Sequence, residues 1–340
     1  FFADVFYVKK GFDIIIANPP YDVLNKDVST SDRISKLKDN IIFEPAKEGK
    51  LNYFKLFLAK FLTHINDDGV TAFIFQNSFL GDKSCTKLRK FIFEENRLIS
   101  LISFPERDDI NKRVFKSAKM SVCISHSSKK LLSDYDFKFG VWKDKDKSVG
   151  FESNLSKNII LKDQYYRVPA IDELGLAIYF KILKNSKIQK FETIGKVYEG
   201  ELNVTFHKKF FSQQNDKIYS ARILKGANIQ SYYITNETSQ GVNEFLDLLS
   251  YLKVNKSSRS NSYQFERIAM QGITGVNEKY RIKSCIVKKN NFLANSTNFI
   301  IKSSSNFTNN EIVVFLNSNL LNWIFKIFST NSNVNTYEIN

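Results

Sequence analysis

Residues 12–21 read Phe-Asp-Ile-Ile-Ile-Ala-Asn-Pro-Pro-Tyr, and this stretch constrains the chain more than any other. A short, almost unbroken apolar run of β-branched character suits a parallel strand buried on both faces. The run stops at Asn18-Pro19-Pro20-Tyr21. Each proline fixes its own φ and pushes the residue before it out of the helical region, so the strand must end in a stiff, extended turn. In an open α/β sheet such a turn lies at the carboxyl edge, where these folds bind ligands.

The residues that follow change period as alternating helices and strands do. Leu51–His64 repeats apolar residues at helical spacing, Gly69 resets the chain, and Val70–Phe75 predicts a second buried strand. Cys85–Glu95 predicts a helix, Leu98–Phe104 a third strand, and Met120–Ser125 a fourth, paired as a hairpin with the segment near Val114. Asp22–Lys50 is charged and without a clear period, which predicts a polar insert. The fold class is therefore α/β, with the alternation of a doubly wound sheet. Leu131–Ser156 is polar and basic, its charge run Lys143–Lys147 predicting a solvated loop, and Asp172–Lys184 predicts a helix. Beyond Ile188, β-like pieces such as Gln230–Ile234 and Phe299–Ile301 precede one late helix, Asn309–Asn317 running toward Phe328. We expect a first domain over 1–130, a connecting segment over 131–189 and a mixed α+β domain over 190–340.

The 340 residues carry 50 Lys and Arg against 35 Asp and Glu, a formal net charge of +15. A surface this basic attracts polyanions, nucleic acid above all. No apolar run reaches the roughly 18–20 residues that span a bilayer, so no membrane partner is expected. Three cysteines cannot form a disulfide framework, which points to a reducing, cytoplasmic setting. Cys85, Cys123 and Cys285 are isolated, and His64, His126 and His207 lack ligand spacing, so neither a metal nor a nucleophilic cysteine is expected. The chain opens on Phe1-Phe2 without an initiator Met and is expected to be a piece of a longer protein.

The turn itself has a chemistry. It offers the Asn18 side-chain oxygen and the Pro19 carbonyl as acceptors, the prolines add no competing N–H, and Tyr21 adds a flat aromatic face. Two convergent acceptors beside such a face suit a planar ring bearing an exocyclic NH₂. Accepting both hydrogens would localise a lone pair otherwise spread into the ring and aim it at an electrophile. Neither a metal nor an ionised base is required before attack.

The stretch FDIIIANPPY resembles the catalytic strand and loop of the TaqI-like and Eco57I-like DNA methyltransferases that make N6-methyladenine in restriction-modification systems. Leu51–Leu62 and Asp67–Leu80 (DDGVTAFIFQNSFL) are similar to that family's next helix and strand. Arg113-Val114-Phe115-Lys116, followed by Met120–Ser125, resembles the later segment whose Phe packs on a flipped base. More weakly, Tyr219–Ile229 (YSARILKGANI), Phe265–Gln271 (FERIAMQ) and Phe315–Trp323 (FLNSNLLNW) resemble parts of its target-recognition domain. The resemblance implies part of a Rossmann-like class I methyltransferase sheet followed by a target-recognition domain. It also implies S-adenosylmethionine as methyl donor, double-stranded DNA as partner, a monomer as the working form, and a restriction nuclease fused or separate.

On that match Asn18 and Pro19 bind the adenine amino group, Pro20 stiffens the turn, and Tyr21 and Phe115 contact the ring. The family's Gly-rich cofactor loop has no counterpart in the 11 residues before Phe12, so the cofactor half of the site is expected upstream. Asp108, Asp109, Lys112 and Arg113 make a charged loop before Phe115, either a solvated turn or a lip that faces DNA, with Lys112 and Arg113 as its expected DNA contacts. In the second domain Lys208, Lys209, Arg222, Lys225, Arg267, Lys279 and Arg281 are the expected DNA contacts, most to phosphate, with Arg222 or Arg267 reading guanine. Two other functions stay open: a DNA-recognition module without catalysis, and a methyltransferase of this fold acting on another amide or amino nitrogen.

Overall fold

The computed structural model describes residues 2–24, 31–236, 242–257, 259–276, 278–303, 306–330 and 332–339. After a short helix α1 (Ala3–Val8), strand β1 (Phe12–Ala17) forms where the apolar run predicts it. Helices α2 (Ser31–Asp39) and α3 (Tyr53–His64), with a 3₁₀ turn at Ile41–Ala46, return the chain to β2 (Ile65–Gln76). Strand β2 lies parallel to β1, with Ala17 opposite Phe73. The expected polar insert thus holds a helix, with residues 25–30 of it outside the described set. Ile34, Ala46, Leu51, Leu56 and Ala59 give it a small core of its own.

A helical stretch containing α4 (Thr86–Lys90) and a π-helical turn at Phe91–Glu95 leads to β3 (Arg97–Phe104). Strand β4 (Val122–Ser128) then inserts between β2 and β3, antiparallel to both. It does not form the hairpin expected with the segment near Val114. Strands β5 (Asp136–Trp142) and β6 (Gly150–Ser156) extend the same sheet, β5 parallel to β3 and β6 antiparallel to β5. They replace much of the expected connecting segment, and the first compact unit runs over Phe1–Phe180, through α5 (Lys157–Leu161) and most of α6 (Glu173–Leu183). The order β1-β2-β4-β3-β5-β6 is that of part of a Rossmann-like class I methyltransferase sheet.

Strand β1 departs from expectation in one respect. It is not buried on both faces: it pairs with β2 alone among the described strands, and Ile14 and Ile16 are 63% and 78% exposed. The core lies instead over β2, β3 and β4, where Phe54 stacks on Phe75 at 5.7 Å and Phe73, Phe79, Phe93 and Leu101 are buried. Arg89 of α4 is fully buried in the same region. Its guanidinium donates to the Phe79 carbonyl at 2.6 Å and twice to the Tyr165 carbonyl at 3.0 and 2.8 Å.

The second unit, Lys181–Asn340, holds two four-stranded sheets. Strands β7 (Gly195–Glu199), β8 (Phe211–Ser212), β9 (Tyr219–Leu224) and β10 (Glu244–Asp247) are followed by α7 (Leu248–Val254). Then come β11 (Arg267–Gln271), β12 (Ser284–Val287), β13 (Asn291–Leu293) and β14 (Thr297–Lys302). One sheet is β13-β9-β10-β8 and the other β12-β11-β14-β7. Leu224 and Leu293 of the first pack with Ala269, Val287 and Phe299 of the second in one buried cluster.

The expected late helix is two, α8 (Asn309–Leu316) and α9 (Asn319–Phe328), bent by 57° where Ser318 caps α9. Their break carries a polar device. The Asn317 amide accepts from Ser284 N at 2.9 Å and donates to the Ser284 carbonyl at 2.8 Å. The Asn322 amide does the same for Ile282, at 2.8 and 3.3 Å. Beside the edge strand β12, two side chains thus take the place of a missing neighbour strand. Among the described residues no single helix is long and apolar enough to cross a membrane.

Replacing Arg89 with alanine would leave the Phe79 and Tyr165 carbonyls unpaired in the interior and open a cavity. We expect Arg89→Ala to destabilise the protein by about 3 kcal/mol or more, read by denaturant unfolding.

Candidate functional site

Strands β1, β2 and β3 run in one direction and so end at one edge of the sheet, where β4 begins. At that edge stand the Asn18–Tyr21 turn, Gln76-Asn77 and the 105–121 connection that carries Phe115. Pro19 is buried, Asn18 and Pro20 are exposed, and Tyr21 is half-buried.

Within the turn, the Tyr21 hydroxyl donates to the Asn18 side-chain oxygen at 2.8 Å and lies 3.4 Å from the Ile74 carbonyl. From β2, Gln76 Nε2 donates to the Tyr21 carbonyl at 3.0 Å. The amide oxygen of Asn77 accepts from Ser103 Oγ of β3 at 2.7 Å, and Asn77 N donates to the Ser121 carbonyl at 3.1 Å. Burial, with the nearby Cys123 thiol, pushes the Tyr21 phenol up to about 12, so it stays a neutral donor at physiological pH. Sequence reasoning missed Gln76 and Ser103. The available signal was a polar pair, Gln76-Asn77, closing an apolar strand at the ligand edge.

The Phe115 ring stands 6.1 Å from the Tyr21 ring with the planes tilted by 53°. Resemblance placed both beside one substrate, and the structure brings them together across 94 residues of chain. Arg113 does not face outward as a free cation. Its guanidinium donates to the carbonyls of Arg107 and Lys116, on either side of Phe115, and braces the loop. Lys145, from the charge run expected to be solvated, donates its N–H to the Lys112 carbonyl at 2.8 Å and its ammonium to the Asn111 carbonyl at 2.7 Å. Lys112 is exposed and lies 3.5 Å from Asp109. Asn52, just before α3, pairs with Val23 beyond the turn, and its side-chain oxygen is buried with no hydrogen-bond partner among the described residues.

In the second unit the expected DNA contacts divide. Lys208, Lys209 and Lys279 are exposed. Arg222 is half-buried, with its guanidinium 3.4 Å from the Thr235 carbonyl, and Lys225 pairs with Glu244 at 2.7 Å. Arg267 and Arg281, expected at DNA, are instead buried, at 3% and 1% exposure. Arg267 pairs with the buried Glu201 at 3.0 Å and also donates to Ser262 and the Asn291 carbonyl. Arg281 donates to Thr274 at 2.8 Å and to the Asn333 carbonyl at 3.3 Å. Both guanidiniums are engaged inside the fold, because a buried arginine is costly unless it is paired; Arg267 Nε has no hydrogen-bond partner among the described residues.

Residues 1–115 match the family model described as Eco57I restriction-modification methylase. Over 118 residues the chain is 32% identical to the type II methyltransferase M.HincII of Haemophilus influenzae, covering 35% of this chain and 22% of that protein. Over 329 residues, 93% of this chain, it is 25% identical to RM.MjaORFECS2P of Methanocaldococcus jannaschii and covers 25% of it. The chain thus spans about a quarter or less of the length of these relatives. Among solved structures, the type IIL restriction-modification enzyme MmeI in complex with DNA shares the fold at a TM-score of 0.62 and 13% identity, over 99% of this chain and 47% of that one. A nuclease-deletion mutant of the type ISP enzyme LlaGI, in complex with a DNA substrate mimic, gives 0.51 and 15% over 94% and 39%. The chain is homologous, in part and at low identity, to restriction-modification methyltransferases.

The raised phenol of Tyr21 has a measurable sign. Its folded-state value lies above the ordinary phenol value near 10, so its contribution to stability is complete below about pH 10 and is lost as pH rises toward about 12. In ultraviolet titration of the folded protein, wild type minus Tyr21→Phe should show no phenolate up to about pH 11. A transition near 10 would mean that Tyr21 is solvated.

Proposed function

We propose that this chain carries the acceptor half of the active site, with the DNA-specificity unit, of a DNA adenine-N6 methyltransferase that uses S-adenosylmethionine in a cytoplasmic restriction-modification system. The observation that carries this reading is the convergence of the Asn18–Tyr21 turn and Phe115 at the carboxyl edge of the sheet. A flipped adenine would donate its two amino hydrogens to the Asn18 side-chain oxygen and the Pro19 carbonyl. A carbonyl oxygen has two lone pairs, so Asn18 can hold the Tyr21 hydroxyl and still accept a substrate hydrogen. Those acceptors would localise the nitrogen lone pair toward the methyl of the donor's sulfonium; as the N–C bond forms, the S–CH₃ bond would break to leave S-adenosylhomocysteine, and the extra amino proton would pass to water. Tyr21 stacks on one face of the base. A base sandwiched between two rings needs about 7 Å, so at 6.1 Å and a 53° tilt Phe115 meets an edge or swings as the base enters.

The described residues fit the acceptor and do not fit a whole cofactor site. Their positive-φ glycines, Gly11 and Gly49, follow no strand of the sheet. We place the cofactor's binding residues in a part of the protein that pairs with the free edge of β1 and covers the sheet face on which Ile14 and Ile16 are exposed. Double-stranded DNA is the proposed partner, with a monomeric enzyme and a restriction nuclease fused or separate. Lys112, Lys208, Lys209 and Lys279 are the proposed phosphate contacts, and Arg222 and Lys225 contribute if their present partners release them.

In the full-length protein, Asn18→Ala should lower single-turnover methylation of duplex DNA by about 10²-fold or more, since an acceptor aligned in the transition state is worth a few kcal/mol. DNA affinity should hold, because phosphate contacts supply most of it. Near-normal rates would sink the amino-group reading and leave a binding module without catalysis. Separately, Lys208→Glu with Lys209→Glu should weaken binding to every duplex sequence alike. For every phosphate no longer neutralised by a lysine, the log–log salt dependence should flatten by about 0.9, measured by anisotropy at several salt concentrations. An unchanged slope would remove these lysines from the interface.

A further inference from the structure

We propose that Gln76 is a positioning residue for the reaction, holding the Asn18–Tyr21 turn in its acceptor geometry; this rests on the proposed role of the turn in binding the amino group. From Ile14 onward, past a register shift after Phe12, strands β1 and β2 form a regular parallel ladder whose last pair is Ala17 with Phe73. Continued by three residues, that register would set Pro20 level with Gln76. The ladder cannot continue there, because Pro19 and Pro20 have no N–H to donate. The next backbone ties lie beyond the turn, in the Val23–Asn52 bridge and the bond from Tyr53 N to the Asp22 carbonyl at 3.2 Å. The Gln76 side chain reaches into this gap, and its amide donates to the Tyr21 carbonyl at 3.0 Å. A side-chain donor from β2 thus ties the turn down where the backbone ladder has ended.

Gln76 is itself rigidly mounted. Its backbone pairs with Val122 of β4, and its carbonyl faces the Cys123 thiol at 3.6 Å. Tyr21 in turn orients Asn18, since the Tyr21 hydroxyl bonds the Asn18 oxygen at 2.8 Å. A shift of the Tyr21 carbonyl therefore moves both the stacking ring and one acceptor of the amino group. Misplacement of reacting groups by an ångström is costly in rate. The global cost of losing this bond is small by comparison, because Tyr21 is only half-buried and water can satisfy its carbonyl.

The experiment uses full-length protein bearing Gln76→Ala, Gln76→Glu or Asn18→Ala, with single-turnover methylation, duplex affinity and thermal melting measured on each. We expect Gln76→Ala to slow methyl transfer roughly 10- to 100-fold with duplex affinity held within about two-fold. Gln76→Glu keeps the volume and sets a carboxylate against the Tyr21 carbonyl. Protonated, it regains a donor, so its rate relative to wild type should recover as pH falls from about 7 to about 4.5, through the ordinary range of a glutamate carboxyl, while that of Gln76→Ala should not. A purely structural role would not produce this pH-dependent rescue. Should Gln76→Ala fold poorly, the Gln76→Glu profile decides alone. Wild-type rates in both Gln76 variants, or a flat relative profile for Gln76→Glu, would overturn the proposal, provided Asn18→Ala is slow. A fast Asn18→Ala would instead overturn the reading beneath it.

Discussion

The placement of β4 between β2 and β3, antiparallel to both, is the constraint on which the site depends. Strand β3 ends at the carboxyl edge of the sheet, and an antiparallel successor must begin at that same edge. The connection from Phe104 to Val122 therefore never crosses the sheet. Its residues stay at the level of the Asn18–Tyr21 turn, which is how Phe115 meets Tyr21. A parallel β4 would have required a crossover to the opposite edge and back into the sheet. Arg113 and Lys145 then fix the connection by donating to its carbonyls, so basic side chains, Lys145 while still exposed, brace the loop.

Much of this was legible in the sequence, and the failures have physical causes. Strand β1 and the stiffness of its turn follow from local chemistry, and both stand where residues 12–21 put them. Its burial was misjudged because burial depends on neighbours, and β1 has one described neighbour. Strands β5 and β6 were passed over although Phe137, Phe139 and Val141 alternate in β5, since the surrounding lysines and aspartates dominated the composition. The segment near Val114 was given a hairpin partner because sequence cannot say which of two strands an apolar run will lie between.

Charge is the least legible property of all. Nothing near Arg267 foretells that Glu201, 66 residues earlier, will be buried against it, or that Ser262 and the Asn291 carbonyl will accept from its terminal nitrogens. Arg281 likewise finds Thr274 and the Asn333 carbonyl. A chain of net charge +15 invites the reading of each arginine as surface, yet these two are interior scaffolding. Lys208, Lys209 and Lys279 conform to the simpler expectation of exposure. The residues that brace the Asn18–Tyr21 turn were missed for a related reason: Gln76 is unremarkable until the register of β1 on β2, continued past Ala17, sets it level with Pro20.

The amides of Asn317 and Asn322 bear on how the second unit can diversify. Helices that rest on a sheet by apolar contact alone can slide or roll when a side chain beneath them changes size. Here each amide grips both backbone groups of one residue, Ser284 or Ile282, and the two gripped residues lie two apart along the same chain segment. A slip by one position would break all four bonds at once, so the docking is digital rather than continuous. Loops elsewhere in the unit can then lengthen, shorten or exchange their side chains without dragging α8 and α9 out of alignment. Such a frame holds the docking of α8 and α9 in register whatever the loops around it do.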